Sequence, residues 1–180
     1  MGLGRLLARV VIGGLFMGHG TQKLLGWFGG DGLDATAKGF EARGLTPGRR
    51  NALGAGLAES GGGILLALGL ATPLAEAALI SVMLTAIRTV HWQKGPWATN
   101  GGYEYNVVLI SALLGLAETG PGRWSLDHAL RLDRSGGAPM AAVLASGVAG
   151  AVAAAAMARP AREAAALIAG LVFAVPSTQK

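Results

Sequence analysis

Apolar residues run through the chain in five long stretches, at about 5–28, 48–71, 73–92, 104–121 and 136–158, with a shorter one at 161–175. The stretch at 136–158 has no ionisable side chain and is long enough, at about 1.5 Å rise per residue, to cross a hydrocarbon layer of roughly 30 Å as a helix, while the other four carry polar interruptions. The breaks between them carry helix punctuation. Thr46-Pro47 and Thr72-Pro73 read as an N-cap followed by proline at the first helical position, where the missing N–H costs nothing. Asn100-Gly101-Gly102 precedes the fourth stretch, and Gly120-Pro121-Gly122 ends it. The turn Arg159-Pro160-Ala161-Arg162 would let 161–175 fold back as the second arm of a hairpin. The pattern therefore predicts an all-α membrane protein. A four-helix transmembrane bundle, residues 1–134, carries an additional C-terminal apolar helix or helical hairpin, residues 135–180. The competing expectation is a soluble, alanine-rich bundle whose core helices mimic spans.

Composition sharpens this picture. Hydrophobic residues make up 52% of the 180 and charged residues 14%, the latter well below the roughly 25% of soluble domains. Small residues recur at four-residue spacing in Gly14 and Gly18, in Gly56 and Ser60, and in Ala142, Ser146, Gly150 and Ala154, ridges of the kind that let membrane helices approach closely. The formal charge of +5 would suggest nucleic acid in a soluble domain. Here the cations flank apolar stretches, where anionic headgroups attract them, and no nucleic-acid partner is expected. Lysine and arginine are nearly balanced between the two ends, so the positive-inside rule does not orient the chain.

The informative residues are the ionisable ones inside or beside the apolar stretches, because a charge at mid-bilayer costs at least about 2.5 kcal/mol and normally faces a partner in the bundle interior. With the first helix starting at the lower end, alternation of direction brings His19, Lys23, Glu59, Arg88, His91 and Glu104 into the upper half. His19 and Lys23, spaced i, i+4, and Arg88 and His91, spaced i, i+3, each share a helix face. The segment from Trp92 to Asn100 would lie over this end as an aromatic lid, with Trp97 in it and Tyr103 and Asn106 just beyond. Each residue also has a plainer explanation. Lys23 and Arg88 would snorkel to the interface, His91 would be an interfacial residue beside Trp92, and Glu59 would form a structural ion pair with Lys23 or Arg88. Glu76 and Glu118 belong to the lower end. Arg123, Asp127, Arg131, Asp133 and Arg134 read as a solvated interfacial segment, with Trp124, Leu126 and Leu130 resting on the bilayer.

Several chemistries fall away. The chain has no cysteine, so it cannot itself run thiol-disulfide exchange or ligate a thiolate-bound iron-sulfur cluster. Gly54-Ala55-Gly56 lacks the third glycine of a dinucleotide fingerprint and a preceding strand. With His128 at the opposite end, the three histidines make no zinc site. His19 and His91 differ in depth by about 6–10 Å, so a bis-histidine haem is not expected either.

Gly18-His19-Gly20 with Gln22-Lys23, Gly26-Trp27-Phe28-Gly29-Gly30, Ala58-Glu59-Ser60-Gly61-Gly62, His91-Trp92-Gln93-Lys94-Gly95 and Asn100-Gly101-Gly102-Tyr103-Glu104-Tyr105-Asn106 together resemble the DoxX family over about residues 5–132. The resemblance implies a four-helix, multi-pass bacterial inner-membrane protein with a cytoplasmic amino terminus. Such proteins are grouped with subunits of quinol oxidase and thiosulfate:quinone oxidoreductase, or associated with redox-defence partners. The residues suit a quinone-linked oxidoreductase subunit. Donors to two quinone oxygens would come from His19, Lys23 or His91, and a proton carrier from Glu59 or Glu104. Trp92, Trp97 and Tyr103 would wall the ring, with Arg88 and Asn106 beside it. Two other expectations stand against this one: a non-catalytic scaffold or accessory subunit of a respiratory or redox-defence complex, and a small-solute or proton transporter.

Overall fold

Each of the five long apolar stretches forms a helix in the computed structural model, which describes residues 2–157. These helices are α1 (Leu3–Leu25), α3 (Gly48–Leu68), α4 (Thr72–Ala86), α5 (Glu104–Thr119) and α7 (Gly137–Met157). The expected second arm at 161–175 lies outside the described residues. Two shorter helices, α2 (Gly32–Ala42) and α6 (Leu126–Ala129), fill connections. The apolar runs do not announce α2, which is short and buries only Ala37.

Glycine sets the spacing of α1 and α3. A methyl group at Gly13 would lie 2.4 Å from the carbonyl oxygen of Gly63, and one at Gly20 would lie 2.5 Å from the backbone nitrogen of Ser60. The two antiparallel backbones are therefore in direct contact, which only residues without a bulky side chain permit. Gly56 and Ser60 take part as their spacing predicts. Gly14 and Gly18 do not: they have open space beside them, and the neighbouring Gly13 and the later Gly20 face α3 instead. On α7 the packed face is Val143, Gly147 and Gly150, against Ile80 and Ser81 of α4. Of the expected ridge Gly150 packs as its spacing predicts, whereas Ala142 and Ser146 are exposed and Val143 and Gly147 take their place.

These contacts fix the directions. Chains α1, α4 and α7 run upward and α3 and α5 downward, around a core of Phe16, Leu66, Leu79, Ile80 and Leu113. Outside that core, Leu3, Leu7, Val10 and Val11 on α1, Leu53, Leu57, Ile64 and Leu68 on α3, and Leu144, Val148 and Val152 on α7 are exposed. Two helical stretches among the described residues, Thr72–Lys94 and Gly137–Met157, are long and apolar enough to cross a membrane.

The lower end holds a correction. Asp127 is buried, not solvated: its carboxylate accepts from the backbone N–H of Ala71 at 2.7 Å and of Thr72 at 2.9 Å, and from the Thr72 hydroxyl. It thus occupies the capping role expected of Thr72, which is the first residue of α4 and turns its hydroxyl to Asp127. Thr46 is likewise not the cap of α3, whose N-cap position is Pro47. The rest of the segment behaves as expected, with Arg123, Trp124, Leu130, Arg131 and Arg134 exposed. Asp133, 3.1 Å from His128, is held below the usual carboxylate range by the hydrogen bond from that ring.

Candidate functional site

The bundle holds a partly open cavity of about 900 Å³, lined mainly by apolar side chains and reaching from Leu74 near the lower start of α4 to His91 at the upper end. Its polar lining comes from separate elements. α1 contributes His19 and Lys23, α3 contributes Glu59, and α5 contributes Tyr105 and Asn106. His91 reaches it from the end of a π turn, Ile87–His91, that continues α4.

At its centre Lys23 donates from Nζ to Glu59 Oε2 at 2.6 Å. The geometry follows from the close packing of α1 on α3, since Lys23 lies one turn above Gly20, which touches Ser60, the neighbour of Glu59. The carboxylate side chain is 4% exposed and the lysine 26% exposed, so the acid is committed to the interior while the base still reaches the edge. Lys23 also donates to the His19 carbonyl at 3.4 Å. His19 Nδ1 sits 3.1 Å from Gln22 Oε1, and Gln22 in turn donates to the Phe28 carbonyl at 3.3 Å. This chain of contacts ties the top of α1 to the turn that follows it.

His91 Nδ1 lies 2.6 Å from the carbonyl oxygen of Gly101. A carbonyl only accepts, so Nδ1 carries the proton, and in the neutral ring Nε2 is an acceptor. Nε2 of His91 can therefore receive a hydrogen bond from a hydroxyl, and can itself donate to a second carbonyl only when the ring is cationic. Asn106 is buried and donates from Nδ2 to Met83 Sδ at 3.3 Å.

The remaining expected residues stand outside the cavity. Arg88 is exposed on the π turn. Glu104 turns its carboxylate to the backbone N–H of Ala98 at 2.8 Å, closing the loop before α5. Trp92 stacks on Tyr103 with ring centroids 5.6 Å apart, and Trp92 and Trp97 are 65% and 64% exposed. The loop is held shut by backbone bonds from Gly102 to Trp97, Tyr103 to Gly95 and Glu104 to Pro96. None of Trp92, Trp97 and Tyr103 is among the residues that line the cavity, so a ring-walling role for them does not follow from this geometry. Apolar walls come instead from Phe16, Phe40, Leu45, Val82 and Met83.

A second polar group at the lower end went unrecognised as a unit. Arg9 and Glu76, both fully buried, lie near Asp127. Arg9 donates from Nη2 to the Trp124 carbonyl. Arg9 Nε and Nη1 and both Glu76 oxygens have no hydrogen-bond partner among the described residues. The signal that marks Glu59, an ionisable residue inside an apolar stretch, marks Arg9 and Glu76 equally well. Nothing in the charged run 123–134 distinguishes Asp127 from its exposed neighbours. Among the described residues no group of three His, Asp or Glu side chains is arranged to hold a metal ion.

Comparison with known proteins adds one match. The family model described as DoxX covers residues 4–92, a span that includes His19, Lys23, Glu59, Arg88 and His91. Neither curated proteins nor solved structures gave a match. Together with the two stretches of membrane-crossing length and the apolar outer faces, this match over residues 4–92 supports membership of the DoxX family of membrane proteins.

Proposed function

We propose that this protein is a multi-pass subunit of the bacterial inner membrane, with a cytoplasmic amino terminus, whose cavity binds a quinone-like headgroup and handles its protons. The observation that carries the proposal is the Lys23–Glu59 pair inside a largely apolar cavity. A quinone offers two carbonyl oxygens on a flat apolar ring. Its reduction to the quinol takes up two electrons and two protons. Lys23 supplies a donor for one oxygen without leaving reach of Glu59, and Glu59 is a group able to take or give a proton as the ring oxygen changes state. His91, with Nε2 free to accept, suits the quinol hydroxyl better than the quinone carbonyl. The electrons would come from a partner subunit, since this chain has no thiol couple of its own.

The exposed leucines and valines on α1, α3 and α7 support the multi-pass arrangement, because such faces lie comfortably only against lipid. On this reading α1, α3, α4 and α5 are the four spans of the bundle and α7 a fifth.

Mass spectrometry of the protein purified in mild detergent tests the proposal. A quinone should co-purify at near one per chain and be lost in Lys23→Met. Wild-type protein reconstituted with excess quinone that retains none would exclude the site. The alternative, a non-catalytic scaffold, draws on one specific observation: the same ion pair bridges α1 and α3 and so also serves to join them.

A further inference from the structure

The cavity is longer than a headgroup requires. Its α4 wall runs from Leu74 to Val90, about 24 Å along a helix axis. Its α7 wall runs from Ser146 to Met157, about 17 Å. Ser146, Gly150 and Ala154 line the α7 side, so the space is a slot lying lengthwise along α4. At its upper end stand Arg43 and Arg50, which also line it. Arg43 donates from Nη1 to the Gly39 carbonyl at 2.6 Å, and Arg50 from Nη2 to the Met157 carbonyl at 2.8 Å. Neither has a carboxylate partner among the described residues. Glu41, the nearest acid in sequence to Arg43, is engaged at the start of α3, accepting from the Gly48 N–H at 3.0 Å. Glu59 is neutralised by Lys23. The slot thus joins a long apolar trough to two uncompensated guanidinium groups at one end.

We propose that this slot holds a membrane lipid with an acidic headgroup, one hydrocarbon chain lying along α4 where α3 and α7 also line the cavity, and the acidic group at Arg43 and Arg50. Guanidinium groups bind phosphate oxygens through paired, charge-assisted hydrogen bonds, and the α4 wall offers a chain mainly apolar side chains, with the Thr85 and Thr89 hydroxyls already donated to the Ser81 and Thr85 carbonyls. The inference rests on the membrane-embedded cavity of the proposed function and is independent of its redox chemistry.

The full chain, purified in detergent, stripped of lipid and returned to nanodiscs of equal phosphatidylglycerol and phosphatidylcholine with identical chains, provides the test. Lipid kept through re-extraction is counted by native mass spectrometry. Wild type should retain phosphatidylglycerol over phosphatidylcholine by about tenfold or more, as expected of two cations at a headgroup. The double variant Arg43→Gln, Arg50→Gln should bring that ratio to about one, and Arg43→Lys, Arg50→Lys should largely keep it. Ala154→Trp, which fills the trough and leaves both cations, should reduce retention of either lipid. Excess inorganic phosphate should displace neither. Equal retention of the two lipids by wild type, a preference that survives loss of both arginines, undiminished retention in Ala154→Trp, or displacement by phosphate alone overturns the proposal. A bound quinone without lipid preference would leave the redox reading standing and remove this one; lipid preference without quinone would do the reverse.

Discussion

Lys23 and Glu59 meet at 2.6 Å with unequal burial, the carboxylate 4% and the ammonium 26% exposed, and that inequality makes the two ends of the pair respond differently to substitution. Lys23→Met strands a buried carboxylate, for which breaking a buried pair costs about 3–5 kcal/mol. Glu59→Gln keeps the shape and an acceptor, and Lys23 can turn toward water, so its cost should stay near about 1 kcal/mol. Thermal unfolding in detergent should show the lysine variant much the weaker, and Lys23→Met combined with Glu59→Gln should recover most of the loss. Equal losses for the two single variants would contradict this.

The contact of α1 with α3 gives a sharper contrast between adjacent glycines. Gly13→Leu places atoms where the Gly63 carbonyl and the Ala67 backbone already stand, and the amount of folded protein in the membrane fraction should collapse. Gly14→Leu points into open space and should be nearly neutral, within about 0.5 kcal/mol. Similar loss in both would place the helix interface elsewhere.

Asp127 closes the lower end. Asp127→Ala removes the acceptor for two backbone N–H groups and the Thr72 hydroxyl, and leaves Arg9 beside one fewer negative charge. A loss of about 2–4 kcal/mol is expected from stranded buried donors. Ligand binding in the cavity of the protein that remains folded should be unchanged, as measured by titration against wild type.

The aromatic loop makes the opposite prediction. Trp92→Ala and Trp97→Ala alter exposed rings outside the cavity, so affinity for a cavity ligand should change by less than about threefold. A tenfold loss would mean that the loop folds over the ligand when it binds.

Much of this arrangement was legible in the sequence, for reasons the side chains explain. Long apolar runs bounded by glycine and proline fix helices to within a few residues, as at Gly120 after α5. A charge inside such a run identifies Glu59, and alternation of direction brings Lys23 and Arg88 to its end of the bundle, between which only the packed structure chooses Lys23. What the sequence did not disclose depends on rotation about helix axes and on contacts between distant segments. Gly13 and Gly14 are equivalent as letters and face about 100° apart on the helix. Trp92, Trp97 and Tyr103 lie in or beside the same loop as His91, yet of the four only His91 lines the cavity, a distinction set by the folding of the loop on itself and not by its sequence pattern. Asp127 is buried through partners more than fifty positions away, which no local pattern carries.

Glu59→Gln, assayed for both assembly and turnover, tests the central claim most directly. If Glu59 moves protons for a quinone, the variant should insert, hold its partner subunits at wild-type levels and lose quinone-dependent turnover by about 10²-fold or more, the scale of a general acid–base contribution. Normal turnover in a well-assembled Glu59→Gln protein, or failure of assembly that fully accounts for lost activity, would contradict the account and leave the pair as a structural brace between α1 and α3.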